Sequence, residues 1–152
     1  MPYTTADARQ QLLDSVVEAG EALGAALASL TEAYELLDEN AAERLEEQLF
    51  RPLQLAYARA RRTQAEFAAR YELPGRSFEP AVRGAPSHGV KGFLEGAVQA
   101  IGEADQALAT LQDSMLPIEV GDPELRADLE QVRTLIGPLP GRARELVRNF
   151  GR

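Results

Sequence analysis

Apolar residues recur every three or four positions along four stretches of this chain, with polar residues filling the gaps. The first stripe is Leu13, Val16, Gly20, Leu23, Leu27, Leu30, Tyr34, Leu37, and the second is Leu45, Leu49, Leu53, Ala56, Ala60, Thr63, Phe67, Tyr71. The third is Leu94, Ala97, Ile101, Ala104, Leu108, Leu111, Met115, and the fourth is Leu125, Leu129, Val132, Ile136, Leu139, Ala143, Leu146, Phe150. This spacing gathers one side chain per half-heptad on a single helix face, so each helix carries a narrow apolar stripe that must be covered. The pattern predicts an all-α fold, an antiparallel up-down four-helix bundle formed by residues 1–152 as one domain. The helices are expected at 5–38, 41–71, 88–115 and 123–150, with a long loop at 73–87.

Local signals set the expected ends and breaks. Thr4 or Thr5 with Asp7 suits a helix start, and Asn40 with Glu43 makes a capping-box pattern for the second helix. Pro52 lies inside the second stripe; it has no amide hydrogen and crowds the preceding turn, so a kink is expected near Leu49–Arg51. Asp122-Pro123-Glu124 is a cap, a first-turn proline and a first-turn acid, which predicts a helix start. The Gly137-Pro138-Leu139-Pro140-Gly141 run is expected to interrupt the fourth helix. Phe78 and Val82 are expected to tack the long loop onto the bundle.

Small residues repeat every four positions at Gly20, Gly24, Ala28 and again at Gly92, Gly96, Ala100. A glycine inside a helix costs on the order of 1 kcal/mol relative to alanine, so close approach of another backbone is the expected compensation. Packing between the first and third helices is the main reading. A homodimer seam through either strip is the alternative.

Composition agrees with helices: the apolar share is 45%, aromatics are only 6%, and Ala and Leu dominate. The chain has no cysteine, which excludes disulfides, thiolate metal sites and a thiol nucleophile. No stretch reaches the uninterrupted apolar length of a membrane span, and Met1–Thr5 shows no leader pattern, so a cytoplasmic location is expected. The net charge of −8 argues against nucleic-acid binding. That charge comes in blocks: residues 1–50 hold eleven acids and two bases, whereas 51–91 hold three acids and eight bases. Basic and acidic helices lying side by side would explain the blocks. An arginine strip (Arg51, Arg59, Arg62, Arg70) facing an acidic partner would explain them equally.

Candidate chemistry is sparse. The single histidine lies in Ser87-His88-Gly89-Val90-Lys91-Gly92. This string resembles the His-x-x-Lys-Gly signature of histidine-containing phosphotransfer domains, which are also four-helix bundles. The resemblance covers about six residues. It implies His88 as phosphoacceptor, Lys91 as phosphate partner and Gly92 as spacer. It departs from the family in one respect: Gly84, Pro86 and Gly89 put His88 at a helix start, not inside a helix. A carboxylate-bridged metal site needs inward acids with a Glu-x-x-His pair, and the sequence has no such pair. No metal or cofactor is expected. The favoured reading is a non-enzymatic helical interaction or adaptor protein with a protein partner. Its contacts are expected in the 74–91 loop (Arg76, Phe78, Arg83, His88, Lys91) and on the arginine face of the second helix (Arg59, Arg62, Arg70). Phosphoryl relay through His88 is the alternative.

Overall fold

Every element among the described residues is helical: α1 (Thr5–Glu35), α2 (Glu39–Leu45), a π-helical turn (Glu46–Phe50), α3 (Arg51–Arg70), α4 (Gly89–Asp113), α5 (Pro123–Ile136) and α6 (Leu139–Phe150). The computed structural model describes residues 5–76, 78–81, 89–114 and 122–150; the expectations for Val82, Arg83, His88 and Met115 lie outside them.

α1 is the hub because Ala, Leu and Val occupy more than one of its flanks. Leu13, Val16, Leu23, Leu27 and Leu30 of the expected stripe are buried, and so are Leu12, Val17, Ala19, Ala22 and Ala26 beside it. The widened face lets α1 pack against both α4 and α3, while α3 also packs on α5 and α4 on α6. The core so formed includes Phe67, Leu45, Leu49, Leu53, Leu94, Ile101, Leu108 and Leu125. Each such side chain contributes about 1.5–3 kcal/mol by leaving water.

α1 stops at Glu35, short of the expected Asp38. The amides of Leu36 and Leu37 turn back to the carbonyls of Ala33 and Tyr34 at 3.1 and 3.3 Å. Asp38, extended at φ −69° and ψ 170°, caps α2 by accepting from the Ala41 amide at 2.8 Å. Asn40, expected in that role, lies inside α2 because Asp38 already takes the free amide. The early turn leaves Tyr34 and Leu36 exposed, while Leu37, the last residue of the first stripe, stays half-buried against the core.

Pro52 is accommodated by the π-helical turn before it, where the Arg51 amide bonds the Glu46 carbonyl. Helical backbone runs on from α2 through this turn into α3. A proline cannot donate, so a carbonyl one turn earlier is released. The Gln48 carbonyl is met instead by Arg142 Nη1 of α6 at 3.1 Å. α3 ends with Glu72 at φ 54° and the Leu73 amide bonded to the Ala68 carbonyl at 2.8 Å, a left-handed helix stop on a non-glycine residue.

Asp122 caps α5 by accepting from the Leu125 amide at 2.9 Å, with Pro123 in the first turn as its sequence leads one to expect. Only Gly137 and Pro138 separate α5 from α6, and the Gly137 amide still bonds the Arg133 carbonyl at 2.9 Å.

The two small-residue strips serve different neighbours. A Cβ on Gly20 would lie 2.5 Å from Phe78 Cζ, and one on Gly24 would lie 3.1 Å from Tyr57 Cε2 and 3.4 Å from Pro80 Cα. The first strip is therefore a notch for the chain's own 78–80 segment and leaves no room at Gly20 or Gly24 for a second copy. A Cβ on Gly96 would meet Ser29 Oγ at 3.6 Å, which puts that part of the second strip against α1.

Candidate partner-binding surface

The repeat of α3 divides its arginines between two faces. Arg59 and Arg70 turn toward α5. Arg59 Nη1 stands 3.7 Å from Asp128, and Arg70 reaches Asp122 at 2.8 Å and Glu124 at 3.3 Å. These pairs join the basic and acidic blocks within one chain, so two of the expected partner-binding arginines already have acidic neighbours.

Asp122 is the centre of that junction. It is 4% exposed and also accepts from Tyr71 Oη at 3.0 Å, while the Arg9 guanidinium lies 4.1 Å from the centroid of the Tyr71 ring. Burial pushes the Asp122 carboxyl up, but the Leu125 amide, Arg70 and Tyr71 outweigh it and hold the group below its usual range. Burial works against the charge of Arg70, and the bond and charge of Asp122 more than compensate, so its value is raised. Burial, followed by the bond to Asp122, raises Tyr71. This buried clasp ties α1, α3 and α5 together and has a structural role.

Glu66, Glu124 and Asp128 bring carboxylate oxygens within 4.8 Å of one another. Each also faces an arginine, at 3.8 Å for Arg62–Glu66 and at the distances given above for Arg70–Glu124 and Arg59–Asp128. Glu124 and Asp128 are the acidic side of an ion-pair ladder between α3 and α5, and Glu66, paired within α3, lies beside it.

The loop residues separate in the same way. Phe78, expected to meet a partner, is a core residue at 6% exposure. Its ring packs into the Gly20 notch and against Tyr57. Arg76 stays exposed near Asp14 at 3.8 Å, and Lys91 stays exposed near Glu95 at 3.9 Å. The phosphoacceptor expected at His88, and Arg83, lie outside the described residues.

Among the described residues, nothing covers the outer face of α3. Arg51, Leu55, Ala58, Arg62, Ala65 and Ala69 are all exposed and follow one another at spacings of four and three. They form a second stripe, opposite the buried one of Leu53, Ala60 and Phe67. Leu55 is 61% exposed, the highest of the large apolar side chains exposed among the described residues. The only ion pairs of Arg51 and Arg62 among the described residues are long ones within the same helical run, 3.9 Å to Glu46 and 3.8 Å to Glu66. The stripe was present in the sequence at the spacing used to find the cores. It is diluted by alanine and arginine, so apolar periodicity alone passes over it.

A second surface feature lies between α1 and α4: an open groove of about 720 Å³ with Gln11, Ser15, Glu18, Glu103 and Gln106 on its sides and Leu111 among its lining residues. No helix among the described residues is long and apolar enough to cross a membrane. Comparison with protein-family models, curated proteins and solved structures finds no match to this chain.

Proposed function

We propose that this chain is a non-enzymatic helical interaction module that presents the outer stripe of α3 to an acidic protein surface. The reading takes the four rods as an up-down bundle serving as a rigid frame. The observation that carries it is the Arg51–Leu55–Arg62 arrangement: a leucine exposed to water between two arginines whose own ion pairs are long. Leu55 supplies an apolar anchor, and Ala58, Ala65 and Ala69 let another backbone come close. The arginines select for acids and set the approach. Of the two surfaces the sequence suggests, the arginine face is kept in this narrower form. The loop contributes less because Phe78 is used internally.

The test is capture of partners from cells that make the protein, on immobilised wild type and on Leu55→Asp. Leu55 is 61% exposed, so the variant is expected to keep its helical content and to melt close to wild type. Partners lost from Leu55→Asp support the reading. Partners retained at full yield overturn it.

A further inference from the structure

We propose that the α3 stripe docks into the α1–α4 groove of a second copy of this chain, so that copies associate head to tail. The inference rests on the reading of that stripe as a contact surface and names its occupant. Stripe against stripe is disfavoured, since it would bring Arg51 and Arg62 of two copies onto like charges. The occupant must offer acids around an apolar floor.

The α1–α4 groove of the same chain has that chemistry. Glu18 and Glu103 stand on its sides, Ala107 and Leu111 line it between the helices, and Gln11 and Gln106 offer amide oxygens to guanidinium groups. The axial spacing also agrees. Arg62 lies seven residues from Leu55, or about 10 Å along a helix, and Glu103 lies eight residues from Leu111, or about 12 Å. With Leu55 over Leu111, Arg62 comes level with Glu103, and Arg51 comes close to exposed Asp113. Gly102, where a Cβ would meet nothing within 4 Å, leaves the groove open to an incoming helix.

Stripe and groove are different patches of one surface, so the contact is heterologous and an associated pair keeps one free stripe and one free groove. The net charge of −8 opposes association at long range. Salt screens that repulsion beyond about 8 Å and leaves the short contacts to decide.

Sedimentation of the full chain across a concentration series tests this, with two charge-reversed variants. Arg51→Glu/Arg62→Glu removes the stripe and Glu18→Arg/Glu103→Arg removes the groove; all four side chains are exposed, and circular dichroism verifies folding. The wild type is expected to grow in mass with concentration. Each variant alone is expected to stay monomeric, its dissociation constant raised about tenfold or more. An equal mixture of the two variants pairs an intact stripe with an intact groove and a reversed stripe with a reversed groove, and is expected to recover growth in mass with concentration. A wild type that remains monomeric, or a mixture that does not pair, overturns head-to-tail association. Partner capture through Leu55 is read separately, so a failure of self-association is distinguished from a failure of the stripe as a contact surface.

Discussion

Tyr57 Oη donates to the Phe78 carbonyl at 3.0 Å, and the two rings meet edge to face with centroids 5.7 Å apart. One side chain of α3 thus fastens a segment that follows the helix to the face of α1. Tyr57→Phe keeps the ring and deletes the bond, leaving a buried carbonyl unpaired. The expected cost is about 1–2 kcal/mol, read from the urea midpoint. Burial raises the Tyr57 pKa. Its contribution is therefore complete below the unfolded value of about 10 and is lost as pH climbs through the raised folded value. The gap between wild type and Tyr57→Phe should narrow only in strong alkali.

Gly20→Ala inverts an ordinary rule. In an open helix this change gains about 1 kcal/mol. Here the new methyl would lie 2.5 Å from Phe78 Cζ, so a net loss of about 1–3 kcal/mol is expected. In a Phe78→Ala background the obstruction is gone and Gly20→Ala should become stabilising. A double-mutant cycle by urea unfolding checks the change of sign.

Asp122 gives the acid limb of stability a specific origin. Its pKa is lowered in the fold, so its contribution is fully present above the unfolded value of about 3.9 and is lost as pH falls through the folded value. Asp122→Asn should be about 2 kcal/mol less stable than wild type near neutrality, because the charge-assisted bonds to Arg70 and Tyr71 are weakened. Thermal melts over a pH series should show that gap shrinking below about pH 4.

Glu72 holds a left-handed conformation at φ 54° that glycine adopts without steric cost. Glu72→Gly should stabilise the chain by a few tenths to about 1 kcal/mol, offset in part by the greater freedom of the unfolded glycine. An unchanged or lower melting temperature would show that the Glu72 side chain contributes more than its backbone strain costs.

Features written in short stretches of sequence were the legible ones. Asp122-Pro123 starts a helix because cap and proline act within one turn, and Gly137-Pro138 breaks one for the same reason. Two helix starters within three residues of each other are less decisive, which is how Asp38 displaced Asn40. Long-range pairings were hidden. Phe78 reads as a loop aromatic until α1 brings Gly20 beneath it. Gly20 and Gly24 read as a helix seam because spacing reveals a notch without revealing what fills it. The arginines of α3 could be assigned to faces by the helical repeat. Which face meets α5 and which meets water depends on the neighbour, and that separates Arg59 and Arg70 from Arg51 and Arg62.

The most direct measurement compares partner capture by two variants with the same change in charge, Arg51→Glu/Arg62→Glu on α3 and Arg76→Glu/Lys91→Glu beside the loop. All four residues are exposed, so both variants should fold and melt close to wild type. If the outer stripe of α3 is the contact surface, the first variant loses the captured partner and the second retains it. Loss from the loop variant with full retention by the α3 variant would contradict the account and move the contact surface to the loop.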